Sequence, residues 1–219
     1  MKLDTLKREV LELNELLAGG FIAKIYQPLP RELVIKVRLA TFGERRVVLS
    51  ADPGLGRIHT TSLRIPNPSS PPRFCAYLRA HLQGARIESV EAPIDDRVVV
   101  IKCVRGQKGS DDKRRLILEL LGRDSNIILV NAVDGTIMDC LHRIYSKQEG
   151  FRSVFPGAVY SFPPSRLNRE AISAETIVDR PGLSEAPTVM EHGNETNLTL
   201  AVELDAGSLD KALDTHYAS

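Results

Sequence analysis

ELVIKVRL (residues 32–39) decides the fold: Leu33, Ile35, Val37 and Leu39 alternate with Val34, Lys36 and Arg38. A repeat of two puts successive side chains on opposite faces of an extended chain. The stretch is therefore a half-buried strand with an apolar inner face and a partly basic outer one. FIAKIYQP precedes it across the turn residues 28–30, and RRVVLSA follows a turn at Gly43, so three strands succeed one another. Further along, ARIESVEA, DRVVVIKCV, LILELLG and SNIILVN read as strands, the last two as a pair. Asp134-Gly135 is a hairpin signal between NIILV and TIMDCLHRI.

Two segments carry the helical repeat instead. Leu6, Val10, Leu13 and Leu17 lie on one helical stripe, with Asp4 as a cap and Gly19-Gly20 as the stop. In RFCAYLRAHLQG, Phe74, Cys75, Leu78 and Leu82 share one face and Gly84 closes the helix. Ser70 before Pro71-Pro72 suits its start, because proline is tolerated where its missing N–H would have no partner. Arg73 and Arg79 fall off the apolar face and either cover it or reach a partner. ADPGLGRIHTT and RIPNPSSPP read as loop, being dense in Pro, Gly and Ser. Strands joined by short turns, with two flanking helices, predict an α+β fold on a mostly antiparallel sheet or sandwich.

The 219 residues are 42% hydrophobic and 26% charged, ordinary for a soluble chain able to bury a substantial core. The net charge of +1 conceals an asymmetry. Residues 170–219 hold two basic and ten acidic side chains (−8), which leaves 27 basic and 18 acidic (+9) for the rest. A basic body suggests a polyanionic partner. The expected partition is a domain over residues 1–165 and an acidic linker or tail over 166–219, leading toward a coiled coil that the sequence does not contain. The first twenty residues are charged and amphipathic, and no apolar run approaches the roughly 20 residues of a membrane span. A soluble, cytoplasmic protein with no membrane partner is expected.

Evidence for a convergent set of reactive groups is thin. Cys75, Cys103 and Cys140 are far apart, and the five histidines (59, 81, 142, 192 and 216) lack metal-ligand spacing. No metal, no cofactor and no catalysis by this chain are expected. Gly54 and Gly56 lack the lysine and full spacing of a phosphate-binding loop, so a simple turn is the reading there. The cationic residues are more informative. Arg57 and His59 follow that loop, and Lys108, Lys113, Arg114 and Arg115 crowd one hairpin. In GRDSN, Arg123, Ser125 and Asn126 either face phosphate and ribose or bond their own turn. In EAPIDDRVVVIKC (residues 91–103), Asp95-Asp96-Arg97 is either turn punctuation holding an ion pair or a contact with a partner.

GGFIAKIYQP, ELVIKVR, VVLSADPGLGRIHTT, NPSSPPRFCAYLRAHLQGARI, DDRVVVIKC, LILELLGRDSNIILV and FRSVFPGAVYSFPP, in that order, resemble the N-terminal domain of the NFACT family. The family includes bacterial RqcH, or fibronectin-binding protein A, and the eukaryotic nuclear export mediator factor. The resemblance implies a ribosome-quality-control role: binding the large ribosomal subunit that holds a peptidyl-tRNA, recruiting alanyl-tRNA, and supporting alanine tailing of the stalled chain. It implies tRNA contact at Asp96 and Arg97 and at Arg123, Ser125 and Asn126. Arg57, His59, Lys113, Arg114 and Arg115 are further expected contacts with the RNA backbone. It also implies a fold similar to the N-terminal domain of formamidopyrimidine-DNA glycosylases. Their N-terminal Pro-Glu is replaced here by Met1-Lys2-Leu3, so glycosylase chemistry is not supported. A surface fibronectin-binding adhesin and a DNA-lesion enzyme are the alternative readings.

Overall fold

The computed structural model describes residues 1–93, 96–106, 112–146 and 152–164; the expected acidic segment 166–219, Asp95 and Lys108 lie outside them. The elements run α1 (Leu3–Leu17), β1 (Phe21–Leu29), β2 (Glu32–Leu39), β3 (Gly43–Ser50), β4 (Arg57–Thr61), α2 (Arg73–Leu82), β5 (Arg86–Glu91), β6 (Val98–Val104), β7 (Lys113–Glu119), a 3₁₀ turn (Gly122–Asp124), β8 (Asn126–Asn131) and β9 (Ile137–Cys140). The nine strands form one antiparallel sheet in the order β4-β3-β2-β1-β5-β6-β7-β8-β9. It is two meanders joined where β1 meets β5, with Phe21 opposite Arg86 at the seam. This is the antiparallel α+β fold that the strand and helix patterns predict.

The inner faces of both meanders feed one core. Leu33, Ile35 and Val37 of β2 and Val47 and Leu49 of β3 belong to it, as do Val99 and Ile101 of β6 and Leu116 and Leu118 of β7. The apolar stripes of α1 and α2 complete it. A second cluster lies on the other face of the second meander: Val98, Val100, Ile117, Ile128 and Val130, packed with Ile137, Cys140 and Val154 and against Ile144, Ala158 and Tyr160. Hence β6, β7 and β8 are buried on both faces, which explains their unbroken apolar runs. β2 is covered on one face and alternates.

Three local details differ from the sequence reading. α1 begins at Leu3, so Asp4 sits in the first turn and favours the helix N-terminus by its charge rather than as a cap. α2 begins at Arg73, with Pro72 as the extended residue before it, leaving Ser70 and Pro71 outside. Residues 57–61, read as loop, form the edge strand β4: Ile58 lies opposite Leu49 and is buried. Five residues ending in two threonines carry too little apolar pattern to declare a strand, and the pairing to β3 makes it one. Both arginines of α2 reach partners, Arg73 the Asp139 carboxylate and Arg79 the Ile25 carbonyl at 2.7 Å. Among the described residues no helix is long and apolar enough to cross a membrane.

Candidate nucleic-acid interface

The entrance of β6 and the β7–β8 connection meet at one end of the second meander. Val98 lies opposite Glu119, Glu119 opposite Asn126, and the Leu120 N–H donates to the Arg97 carbonyl at 2.9 Å. Asp96, Arg97, Arg123, Ser125 and Asn126 are thereby gathered from sites almost 30 positions apart.

Their roles within this end differ. Asp96 is only 7% exposed. Its Oδ1 accepts the Arg97 backbone N–H at 2.7 Å, and its carbonyl accepts the Val98 N–H at 2.9 Å. The second bond closes a three-residue turn with Arg97 at its apex. Asp96 thus holds the backbone beneath Arg97 through the Arg97 N–H. The Arg97 guanidinium, half-buried, has no hydrogen-bond or ion-pair partner among the described residues. Arg123, exposed on the 3₁₀ turn, has none either. Gly122 adopts φ 68°, a left-handed conformation that suits glycine and lets the chain reverse there.

Asn126 is 0% exposed, and both ends of its amide are bonded. Its Nδ2 donates to the His142 carbonyl at 2.7 Å, while Oδ1 accepts the N–H groups of His142 at 3.0 Å and Ile127 at 2.9 Å. The amide copies a strand's hydrogen bonding and ties the start of β8 to the segment after β9. Ser125 is buried, its N–H donating to the Gly122 carbonyl at 3.1 Å. Both residues brace the turn that presents Arg123.

The Gly-rich segment 52–56 belongs to the same end. A Cβ on Gly56 would lie 3.1 Å from Leu120 Cδ2, so glycine permits this loop to close on the end of β7. The Gly54 and Leu55 N–H groups donate to Asp52 Oδ1 at 2.9 and 2.8 Å, so a carboxylate of the chain itself occupies the place an anion would take. Arg57 is engaged as well: Nη2 contacts the buried Glu32 carboxylate at 2.7 Å, and Nη1 donates to the Leu55 carbonyl at 2.9 Å. His59 is half-buried on β4 opposite Val48.

Lys113, Arg114 and Arg115 stand elsewhere. They open β7, six residues from Glu119 at its other end, roughly 20 Å along an extended strand. Arg114 is paired with Asp112, and Arg115 Nη2 donates to the Ala132 carbonyl at 3.4 Å. The expected contacts therefore divide between two ends of the sheet.

Sequence reasoning missed the frame around Arg97 and Arg123. Glu119, completely buried, binds Arg152 through two 2.6 Å contacts and accepts the Tyr160 hydroxyl at 2.8 Å. Burial opposes the charge of Arg152, but the Glu119 carboxylate prevails and raises its pKa. Burial, reinforced by the same carboxylate, raises that of Tyr160. Burial lowers the pKa of His142, with the positive charge of Arg31 acting in the same direction. Arg31 Nη1 and His142 Nε2 are buried without a hydrogen-bond partner among the described residues. The signals available were Arg152 in FRSVFPG and an acid ending the apolar run LILE, and neither names its partner. Among the described residues no group of three or more His, Cys, Asp or Glu is placed to hold a metal.

Comparison with known proteins places the chain in a family. The family described as NFACT N-terminal and middle domains matches residues 4–187. The Rqc2 homolog RqcH of Bacillus subtilis is 38% identical over 208 residues, covering 94% of this chain and 33% of that protein. The archaeal Rqc2 homolog aRqcH of Methanocaldococcus jannaschii is 31% identical over 139 residues, 62% of this chain and 19% of that one. Among solved structures, the N-terminal domain of the fibronectin-binding protein PavA from Streptococcus pneumoniae superposes with a TM-score of 0.69 at 34% identity, covering 82% of this chain and 69% of that one. The fibrinogen-binding protein from Staphylococcus aureus gives 0.61 at 30% identity, covering 75% and 56%. The chain spans about a third of the length of its Bacillus relative. With the family matched over residues 4–187, the chain belongs to the NFACT family, of which it carries the N-terminal part.

Proposed function

We propose that this chain is the RNA-binding module of a ribosome-quality-control factor. It grips tRNA, alanyl-tRNA by family resemblance, and the large ribosomal subunit still holding a peptidyl-tRNA, and so supports alanine tailing of the stalled chain. It acts by binding, and the domain that does so is residues 1–165.

The observation that carries this reading is the pair of guanidiniums, Arg97 and Arg123, unengaged among the described residues and set on braced turns at one end of the sheet. A planar five-donor fork suits phosphate, a base edge, or stacking on an unpaired base. Asp96, Ser125 and Asn126 serve that contact by fixing the backbone under each arginine. The identities to RqcH proteins support the ribosomal setting. The test is tRNA binding by folded Asp96→Ala and Arg97→Ala proteins. Arg97→Ala is expected to weaken it about tenfold and to flatten its salt dependence. Unchanged affinity and salt slope in both variants would sink the proposal. Co-sedimentation should favour large subunits carrying peptidyl-tRNA over empty ones. A second reading, binding of fibronectin or fibrinogen, rests on what the solved relatives are described as binding. Saturable fibronectin binding by the pure chain would favour it.

A further inference from the structure

The outer face of the first meander, opposite the main core, is organised in rows. Lys24 of β1 lies opposite Lys36 of β2, and Lys36 opposite Arg46 of β3, so three cations stand side by side on three adjacent strands. The next row is Tyr26, Val34, Val48 and His59, one residue from each of β1 to β4; the two valines are buried there, and Tyr26 and His59 are half-buried. Neighbouring strands lie only about 4.8 Å apart, and like charges directly opposite one another destabilise a sheet. Glu44 offsets one of the three by pairing with Lys36.

Tyr26 is the wall between two concavities on this face. One, of about 410 Å³, is lined by Lys36, Arg46 and Arg64 beside Val34 and the segment 63–67; the other, of about 280 Å³, by Lys24, Arg79 and Gln83. Among the described residues no carboxylate lines either of them. The Arg46 guanidinium donates to the Ser62 carbonyl at 3.2 Å, which holds the segment beside the sheet. Arg79, fixed by its bond to the Ile25 carbonyl, stands 5.7 Å from the centroid of the Tyr26 ring.

We propose that this face is a second nucleic-acid site, which takes a single-stranded RNA segment with its phosphates along Lys24, Lys36 and Arg46 and a base stacked at Tyr26. The cation row supplies the charge a phosphate backbone needs, and the tyrosine supplies the π-surface on which an unpaired base rests. A duplex keeps its base faces inside its own stack and has nothing to offer Tyr26. Arg79 adds a cation at the ring, favouring a base that arrives with a phosphate. The site shares no residue with the Arg97 and Arg123 end, so it stands or falls separately from the tRNA contact proposed there.

The experiment is fluorescence anisotropy of a labelled single-stranded RNA oligonucleotide with the 219-residue chain, titrated at several salt concentrations. Tyr26→Ala is expected to weaken binding about tenfold, and Tyr26→Phe, which keeps the ring, to bind like the parent. Lys24→Gln, a solvent-exposed change that leaves the fold intact, should reduce the slope of log K against log salt by about 0.7. Arg97→Ala should leave this oligonucleotide's affinity unchanged. Unaltered affinity in a folded Tyr26→Ala protein, an unaltered slope in Lys24→Gln, or displacement of the strand by duplex RNA or polyglutamate as readily as by unlabelled strand would each overturn the site. Loss of tRNA binding in Arg97→Ala with a normal oligonucleotide response leaves both proposals standing. Normal tRNA binding and salt slope in that variant and in Asp96→Ala remove only the first.

Discussion

β6, β7 and β8 bury both faces, whereas the outer face of β1 to β4 is buried around Val34 and Val48 and opens toward Lys24, Lys36 and Arg46. Polar groups follow the difference. On the wrapped side, Glu119, Arg152 and Tyr160 close on one another, and Asn126 spends three hydrogen bonds on its neighbours. On the open side, Lys24, Lys36 and Arg46 line up with one carboxylate to offset them. A buried polar group must find its partner inside the chain, while a cation in water can wait for one outside. The wrapped meander supplies rigidity to the turns bearing Arg97 and Arg123; the open one supplies surface.

The largest test of that contrast is Glu119→Ala. It leaves the largely buried Arg152 guanidinium without its carboxylate, with the Ser161 carbonyl as its remaining acceptor among the described residues, so the expected loss is about 3–5 kcal/mol, read as a lowered midpoint in urea unfolding. Glu44→Ala on the open face removes a pair that water and salt already screen, and its midpoint should scarcely move. Equal costs would mean that the two faces do not differ in the way their burial implies.

Proton linkage sharpens the same contrast more gently. His142, clamped by Asn126, titrates below its ordinary value of 6.5 because of burial and then Arg31; His81 does so because of burial and then Arg114. A histidine whose folded pKa is depressed contributes stability that is present above 6.5 and lost as the pH falls through the folded pKa, since the unfolded chain binds more protons. Urea midpoints should therefore decline as the pH drops from 7 toward 5. The decline should be shallower in a protein carrying His81→Gln and His142→Gln. Loss that sets in only below 4.5, where Glu91, lowered by its bonds to Lys102 and Ser89, begins to titrate, would assign it to carboxylates instead.

The sequence made the strands legible because a strand advertises its own faces. The alternation in β2 and the unbroken runs in β6 to β8 record one covered face and two. The cations at Arg97 and Arg123 were also legible, since turn chemistry beside a charge is local. What could not be read were pairings across the fold. Asn126 and His142 are 16 residues apart, Glu119 and Arg152 are 33, and Arg57 reaches Glu32 over 25. Nothing near Asn126 says that its amide is consumed by backbone from another segment, and so it looked like a donor for RNA. Short β4 was missed for the same reason: its identity as a strand lies in β3.

The smallest effect tests the open face most directly, because its sign runs against ordinary expectation. Most substitutions destabilise, yet Lys24→Gln removes a charge held directly opposite Lys36, and relief of that repulsion should raise stability by about 0.2–1 kcal/mol at low salt. Adding salt should erase the gain, since exposed charges are screened within about 10 Å at 0.1 M. The same substitution is expected to weaken single-stranded RNA binding. A protein that becomes more stable and binds less would show that the cation row is kept for its partner at a cost to the fold. A protein that loses stability instead would show Lys24 serving the sheet, through the packing of its aliphatic stem beside Tyr26, and the row would need no partner to explain it.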